Sequence, residues 1–282
     1  MKTSASQKSA QSWDQGLPEQ VCFRVTRHCN ARCRFCLAPP DGTHPETGTL
    51  LHRIDWLLAR GVTIFHISGG EPTIHPGLAA LIEHIYAQGG KPRLTTNAIA
   101  IPDTLLPVLR TTGTLVKVSL HGDQAHHNQM VGVRSFEHTQ RSIRRLVEAG
   151  VQTSIQTMVI TDADWVVDWV ADFCLKLGVR RLSILPFIPR GSGVDCKDKF
   201  GLSPEQRRSL RDHVKEKRHK LNGRLDIRWL DFNARPIHVV EADGSVVLEA
   251  ATNAMDKVLG SIPVSECMTT IINSIRDKNE FG

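Results

Sequence analysis

The sequence alternates short apolar runs with longer segments of helical periodicity, and this alternation most constrains the fold. Six runs have the character of buried strands, at residues 21–26, 63–67, 92–96, 115–120, 151–160 and 181–185. Helical patterns lie between them, such as the one over 136–149 that Gly150 ends. Strands that alternate with helices in this way predict β-α units and a parallel sheet.

The number of units predicts an open barrel. Six units reach about residue 190, whereas a closed eight-unit barrel needs roughly 250 residues. We therefore predict an α/β fold with a partial (β/α)6 TIM-like barrel over 20–190, after a flexible segment at 1–19. Residues 191–282 are expected to form a small α+β cap. Its signs are a helix-capping box at Ser203–Gln206 and a hairpin turn at Asp243–Gly244.

Composition excludes several classes of protein. The chain has 282 residues, 40% hydrophobic and 23% charged, as in an ordinary globular protein. No run approaches the roughly 20 apolar residues of a membrane span, and the first twenty residues lack the apolar core of a secretory signal. Seven cysteines, an odd number, argue against a disulfide framework. We expect a cytoplasmic protein with no membrane partner.

The formal charge is +6, and much of the excess lies in the run 207–220. A solvated helix face explains such a run, and attraction for a phosphorylated or nucleic-acid substrate is the sharper alternative. No aromatic residue is interleaved with these charges, so base stacking gains no support. We expect no nucleic-acid partner.

Three cysteines follow the first predicted strand: Cys29, Cys33 and Cys36. Three thiolates can hold a 4Fe–4S cluster but leave one iron without a protein ligand. An open iron can bind a substrate or cofactor, so this number of cysteines points to chemistry. The structural alternative is a closed zinc site with His28 or His66 as fourth ligand. The functional alternative is a non-catalytic metal-binding protein.

Polar or unusual residues follow several other predicted strands. In parallel α/β barrels the active site forms at the carboxyl ends of the strands, so these residues are expected to meet at one mouth. In chain order they are Ser68 to Pro72, Thr95 to Asn97, Ser119, His121, Leu185 and Pro186. His121, His126 and His127 are read either as surface histidines or as groups that contact substrate or transfer protons.

The Cys-x3-Cys-x2-Cys spacing, with Phe35 just before the last cysteine, resembles the signature of the radical S-adenosylmethionine (SAM) enzymes. Gly69-Gly70-Glu71-Pro72 is similar to their motif after the second strand. The resemblance covers roughly residues 20–190. It implies that the three cysteines ligate one 4Fe–4S cluster and that SAM chelates the fourth iron. The cofactor would supply a 5′-deoxyadenosyl radical that abstracts hydrogen from a substrate.

The resemblance also implies which residues bind SAM. Glu71 and the backbone of Gly69 and Gly70 would accept hydrogen bonds from the methionyl amine, since paired glycines allow close approach. Arg134 would pair with the methionyl carboxylate, although the position that aligns with the arginine of related enzymes holds Val131. The remaining positions implied to contact SAM are Phe35, Pro72, Asn97, Ser119 and Leu185.

Within the superfamily, the sequence resembles the branch of the molybdenum-cofactor and coenzyme-PQQ enzymes, whose cap carries an auxiliary cluster. Residues 242–246 and 259–262 look like that scaffold, but 248–250 hold no cysteine where relatives tend to place one. The cysteines that remain for a second cluster are far apart in sequence: Cys174, Cys196 and Cys267. We therefore expect a degenerate, twitch-like cap without a second cluster. Arg190, in the link to the cap, is expected either to reach an anionic substrate group or to belong to a simple linker.

The predicted function is hydrogen abstraction from a small molecule derived from a sugar, nucleoside or amino acid, with a flavodoxin- or ferredoxin-type reductant. A peptide-modifying maturase is the enzymatic alternative. About twenty residues precede the predicted barrel, fewer than a domain that binds a leader peptide needs, which favours the small molecule.

Overall fold

The computed structural model describes residues 16–231 and 236–263, and strands and helices alternate through most of them. The strands are β1 (Gln20–Thr26), β2 (Ile64–Gly69), β3 (Lys91–Thr96), β4 (Leu115–Ser119), β5 (Thr153–Val159), β6 (Arg181–Pro186), β7 (Asp226–Trp229), β8 (Ile237–Val240), β9 (Ser245–Glu249) and β10 (Lys257–Ser261). The helices are α1 (Thr47–Leu58), α2 (Leu78–Ala87), α3 (Leu105–Thr111), α4 (Gln124–Val131), α5 (Phe136–Glu148), α6 (Trp165–Leu177), α7 (Lys197–Phe200) and α8 (Pro204–Leu221). The six predicted strands are all present, and their ends agree with the prediction to within two residues.

The ten strands of the described residues form one sheet, in the order β10-β9-β8-β1-β2-β3-β4-β5-β6-β7. From β1 to β7 every neighbouring pair is parallel. β8 is parallel to β1 and antiparallel to β9, and β10 completes an antiparallel meander. The predicted α/β class and partial barrel are confirmed. The sheet stays open because β7 and β10 are edge strands.

The strands bury one face under the helices and turn the other toward the inside of the barrel. On β1, Val21, Phe23 and Val25 are in the apolar core, and Phe23 meets Phe65 edge to face with ring centroids 6.1 Å apart. Each fully buried side chain of this size contributes about 1.5–3 kcal/mol. The alternate residues of the same strand, such as Arg24, are polar and point to the barrel interior. The carboxyl ends of β1 to β6 therefore frame one mouth.

The residues after 190 extend the barrel sheet at both edges. α8 starts at the predicted capping box, in which Ser203 and Gln206 exchange hydrogen bonds of 2.9 and 3.2 Å. It leads to β7, which pairs with β6. The predicted hairpin is also present, but its strand β8 pairs with β1. Pairing of this kind satisfies the open hydrogen-bonding groups of an edge strand, so these strands continue the barrel sheet.

The basic run 207–220 lies on α8, which buries Leu210 and Val214 and turns its charges outward. Several of these charges pair with acids; Lys217, for example, lies 2.9 Å from Asp168. In the part of the chain that the structure describes, no helix combines the length and the apolar character needed to cross a membrane. Most of the predicted lead-in and all of Cys267 lie outside the described residues.

Candidate active site

The cysteine loop, defined as residues 27–46 between β1 and α1, is held in place on two sides. The Arg32 N–H donates to the carbonyl of Val131 at the end of α4, at 3.0 Å. The Ser192 N–H donates to the Cys36 carbonyl at 2.9 Å, beyond the end of β6. Glycine is needed beside it, since a Cβ on Gly191 would lie 2.4 Å from the same carbonyl oxygen. The loop is thus fixed between α4 and the segment after β6.

The three cysteines of this loop are half-buried thiols. Burial raises the pKa of each, and for Cys33 burial, together with Cys36 and Cys29 nearby, raises the pKa to about 12. Metal ligation requires the thiolate, so these sulfurs need the positive charge of iron to ionise at neutral pH. Three soft, partly buried donors on one fixed loop fit the three protein-bound irons of a 4Fe–4S cluster.

The geometry does not support a closed zinc site. Four ligands around one zinc, with Zn–S near 2.3 Å, would hold the sulfurs roughly 3.8 Å apart. Among the described residues, no three His, Cys, Asp or Glu side chains are close enough to hold one metal ion. In a 4Fe–4S cubane each thiolate binds a different iron, so the three sulfurs can lie farther apart than the ligands of a single zinc ion. The two histidines considered as fourth ligands are engaged elsewhere: His66 bonds Gln20 at 3.1 Å and His28 stacks on His44.

The turn after β2 lies directly on the start of the cysteine loop. The Gly70 N–H donates to the Thr26 carbonyl at 2.7 Å, and the Glu71 N–H donates to the His28 carbonyl at 2.8 Å. Gly69 has φ +136°, and a Cβ there would lie 2.2 Å from the Thr26 oxygen, while one on Gly70 would lie 2.0 Å from the His28 oxygen. Only glycine fits at either position. The two glycines therefore let the backbone of this turn pack directly against the backbone at Thr26 and His28.

Glu71 is buried and joins three segments of the site. Its Oε1 accepts from the Thr73 N–H and hydroxyl, at 3.0 and 2.7 Å, and from the Thr96 hydroxyl at 2.6 Å. Its Oε2 accepts from the Asn97 N–H at 2.7 Å. Burial raises the pKa of this carboxyl, and the four hydrogen bonds oppose that rise. Oε2 accepts a single bond from these residues, so it retains capacity for another donor. Pro72 follows and is buried at the start of a short 3₁₀ turn, Pro72–Ile74.

The other polar residues predicted to bind SAM differ in their surroundings. Asn97, at the end of β3, donates from Nδ2 to Asn30 Oδ1 at 2.7 Å, which links this strand to the cysteine loop. Ser119 ends β4, and its half-buried hydroxyl has no hydrogen-bond partner among the described residues. Arg134 is exposed in the turn after α4, and the described residues offer it no ion pair.

An apolar wall completes one side of the mouth. Phe35 and Leu185 belong to a single buried cluster, together with Met130, Met158, Phe187, Ile188 and Phe200. Cys33 packs against the same cluster. The structure therefore brings the aromatic residue of the cysteine motif and the end of β6 together, as the sequence predicted.

His121 is buried beside the cysteine motif, which its position in a predicted loop does not indicate. It is 3% exposed, and its ring meets Phe35 at 4.9 Å in a T-shaped contact. Its Nδ1 accepts the Met158 N–H at 3.1 Å, so the neutral ring carries its proton on Nε2. Burial lowers its pKa well below the usual value. His127 is also buried, and its pKa falls to about 4. The surface interpretation is wrong for these two, and the sequence held no signal of it because the contacts come from other elements.

The interpretation of Arg190 as a ligand for substrate also needs correction. Arg190 is buried and forms ion pairs with Glu249 at 2.9 Å and with Asp256 at 2.6 Å. On β1, Arg24 pairs with Glu241 and, at 2.9 Å, with Glu249. These pairs tie the hairpin to β1 and to the segment that carries Gly191.

Comparison with known proteins agrees with this geometry. Residues 23–173, more than half of the chain, match the family model of the radical SAM superfamily. The mycofactocin maturase MftC of Mycobacterium tuberculosis is 28% identical over 155 residues, which is 52% of this chain and 40% of the relative. A GTP 3′,8-cyclase of Haemophilus influenzae is 28% identical over 137 residues, 45% of this chain and 40% of the relative.

Solved structures share the fold. Streptococcus suis SuiB bound to its precursor peptide SuiA has a TM-score of 0.73 at 17% identity, over 83% of this chain and 60% of SuiB. anSMEcpe with bound AdoMet has a TM-score of 0.70 at 19% identity, over 86% of this chain and 78% of that one. The chain spans well under half the length of the curated relatives named above. It belongs to the radical SAM superfamily of enzymes, whose cofactors are a 4Fe–4S cluster and S-adenosylmethionine.

Proposed function

We propose that this protein cleaves SAM reductively at a 4Fe–4S cluster held by Cys29, Cys33 and Cys36, and that the 5′-deoxyadenosyl radical abstracts hydrogen from a small molecule. The observation that carries the proposal is the hydrogen-bonded union of three segments. The turn after β2 bonds the cysteine loop through the Glu71 N–H and His28, and Asn97 at the end of β3 bonds both Glu71 and the cysteine loop. A metal site with no cofactor beside it has no need of this arrangement.

The residues of the mouth divide the work of holding SAM. In this proposal Oε2 of Glu71 and the backbone at Gly69 and Gly70 accept from the methionyl amine. Asn97 and the unpartnered hydroxyl of Ser119 bind ribose hydroxyls or the methionyl carboxylate, and Arg134 pairs with that carboxylate. The apolar positions Phe35, Pro72 and Leu185 flank the nucleoside and exclude water.

Charge on the inner face of the barrel supports a small anionic substrate. Lys117 alternates with the core residues Val116 and Val118, so its side chain lies on the inner face of β4. Burial lowers the pKa of Lys117, and Arg93 on the neighbouring strand acts in the same direction. Neither cation has an ion pair among the described residues. A phosphate or carboxylate on a nucleoside or amino-acid derivative would offset this charge.

The proposal extends to the branch of the superfamily, the reductant and the location of the protein. Similarity to a GTP 3′,8-cyclase supports the branch of molybdenum-cofactor and coenzyme-PQQ enzymes, here with a cap that lacks an auxiliary cluster. Of the described cysteines that the sequence leaves for a second cluster, Cys174 is buried on α6 of the barrel and Cys196 is half-buried. We also infer a flavodoxin- or ferredoxin-type reductant. Because the three ligand thiols must stay reduced, a cytoplasmic location follows.

Peptide modification is the second candidate. The match to mycofactocin maturase MftC and the fold shared with SuiB, solved with its precursor peptide, favour it. A peptide would not need the two inner-face cations. The charge of the bound substrate therefore separates the two candidates.

Anaerobic reconstitution tests the proposal. The chain is loaded with iron and sulfide, then given SAM and dithionite, and 5′-deoxyadenosine and methionine are quantified. We expect about four irons per chain and both products, with both lost in Cys33→Ser. Tightly bound zinc without 5′-deoxyadenosine would overturn the enzymatic proposal. Well over four irons that persist after all three cysteines are changed to alanine would show a second cluster.

A further inference from the structure

The inner face of the barrel remains accessible below the residues that would bind SAM. On β4, Lys117 and Ser119 are half-buried and alternate with buried residues, and on β3 Arg93 and Thr95 do the same. The buried residues face the helices, so solvent reaches these four side chains from inside the barrel. A strand rises about 3.3 Å per residue, which places Lys117 and Arg93 roughly 7 Å deeper than Ser119 and Thr95.

Arg93 and Lys117 lie close to each other and to His66, on three adjacent strands. In the parallel register His66 of β2 lies beside Arg93, and Lys117 lies beside Thr95, the inner-face residue that follows Arg93. Burial, together with the charges of Arg93 and Lys117, lowers the pKa of His66 to about 4, so its ring is neutral at neutral pH. We call Arg93, Lys117 and His66 the inner-face cluster. Its positive charge comes from Arg93 and Lys117.

The described fold supplies no counter-charge to this cluster. The seven parallel strands β1 to β7 contain one acidic residue, Asp226, which pairs with Arg181 at 3.2 Å and with Arg228 at 2.8 Å. Arg24 is satisfied by two carboxylates of the C-terminal hairpin. The two cations of the inner-face cluster have no ion pair and no side-chain hydrogen bond among the described residues. Partly buried charge of this kind is costly unless it is paired, and a bound anion can pair it.

Charge and oxygen number favour a phosphate over a carboxylate as this anion. A phosphate monoester carries about two negative charges at neutral pH and offers three strong acceptor oxygens, which suits two unpaired cations. The guanidinium of Arg93 can hold two of these oxygens side by side, and the ammonium of Lys117 can bind the third as a compact charge. A carboxylate has a single charge and would leave one of the two cations unmatched.

We propose that the substrate is a phosphate monoester, a sugar phosphate or a nucleotide, whose phosphate is bound by Arg93 and Lys117 inside the barrel. This assignment names the substrate class of the proposed function and rests on it. SAM, held at the mouth, would lie above the phosphate, so the carbon that gives up hydrogen belongs to the part of the substrate between them. The gap of roughly 7 Å is spanned by about five covalent bonds, the size of a pentose esterified to phosphate.

Calorimetry on the reconstituted chain tests the phosphate site without turnover. SAM is present, no reductant is added, and the probes are inorganic phosphate and acetate. We expect acetate to bind about tenfold or more weakly than phosphate. Lys117→Met removes one charge at similar length and should weaken phosphate binding about tenfold or more, whereas Lys117→Arg keeps the charge and should stay within about threefold. The matched control is Lys176→Met, exposed on α6, which should stay within about twofold.

Chemical labelling gives a second readout, at the lysine itself. N-hydroxysuccinimidyl acetate, a small neutral amine reagent, is applied to the SAM-loaded chain, and peptide mapping follows the labelling of each lysine. Phosphate should slow the labelling of Lys117 and leave that of Lys176 unchanged. Equal binding of phosphate and acetate, or phosphate binding that both Lys117→Met and Arg93→Met leave unchanged, overturns the proposal. If Lys117→Met does not load its cluster, Arg93→Met decides by the same criteria.

The formation of 5′-deoxyadenosine with dithionite is measured in parallel on the unmodified chain. A chain that cleaves SAM but binds phosphate no better than acetate retains the proposed radical chemistry and overturns the phosphate monoester. A chain that binds phosphate through Lys117 but does not cleave SAM overturns the proposed function, and the substrate assignment with it.

Discussion

Two buried polar clusters hold the mouth of this barrel, and they are built on opposite principles. In the first, the single carboxylate of Glu71 is met only by uncharged donors from Thr73, Thr96 and Asn97. In the second, positively charged arginines form ion pairs with negatively charged carboxylates. Its members are Arg24, Arg190, Glu241, Glu249 and Asp256. We call these the Glu71 cluster and the arginine cluster.

The two clusters also differ in the distance they span along the chain. The Glu71 carboxylate bonds residues at most 26 positions away, whereas the Arg24 guanidinium bonds residues more than 200 positions away. The first cluster joins loops that would hold SAM, while the second fastens the C-terminal hairpin to β1. Among the described residues, all hydrogen-bond donors to the Glu71 carboxylate are neutral. If one of them is lost, no positively charged partner remains to stabilise the buried carboxylate. The arginine cluster has spare partners, since Glu249 contacts both arginines.

The largest effect is expected from Glu71→Gln. The amide keeps the shape but turns an –NH₂ group toward donors, so at least one buried donor loses its acceptor. Unfolding free energy should fall by about 3 kcal/mol, as measured by urea denaturation, and SAM should bind more weakly in equilibrium dialysis. Glu83→Gln on the exposed face of α2 is the matched control and should change stability by less than about 0.5 kcal/mol. If the two variants were equally stable, Glu71 would not hold the three segments together.

Arg190→Met should have a smaller effect on stability, about 2 kcal/mol, because Glu249 keeps Arg24 as partner and the Ala250 N–H still bonds Asp256. Its distinctive effect should appear at the cluster. Arg190 precedes Gly191, which lies against the Cys36 carbonyl. We expect the reconstituted variant to lose iron faster to a chelator than the unmodified chain.

A double-mutant cycle sharpens this prediction. Adding Asp256→Asn to Arg190→Met removes the carboxylate that the first change leaves unpaired, so part of the stability should return. Glu71→Gln combined with Arg190→Met should instead be additive to within about 0.5 kcal/mol, because the two clusters share no partner. Strong coupling between Glu71 and Arg190 would mean that the mouth and the hairpin form one unit.

The contrast between the clusters also explains what the sequence could predict. The strands, the capping box at Ser203 and the meeting of the cysteine loop with the turn after β2 follow from local patterns and from strand order. The partners of Arg24 do not, because nothing near residue 24 indicates a carboxylate at 241 or 249. The pairing of β8 with β1 and the burial of His121 were missed for the same reason. Both depend on contacts between segments that are distant in sequence.

The smallest effect on stability is expected from a change at His121, a titratable side chain that is uncharged in the folded chain. His121→Phe keeps a ring beside Phe35 but leaves the Met158 N–H without its acceptor, which should cost about 1 kcal/mol at pH 8. Because the pKa of His121 is lowered in the folded chain, its stability is fully present above the ordinary value of 6.5 and is lost as pH falls below it. The phenylalanine variant does not take up this proton. Its unfolding free energy should therefore fall less steeply than that of the unmodified chain between pH 6.5 and 5, and the two stabilities should converge.

His138→Phe, on the exposed side of α5, is the control and should leave the pH dependence unchanged. Parallel stability curves for His121→Phe and the unmodified chain would show that His121 is not held neutral by burial, and would leave the Glu71 cluster as the one place at this mouth where a titratable group is enclosed by neutral partners.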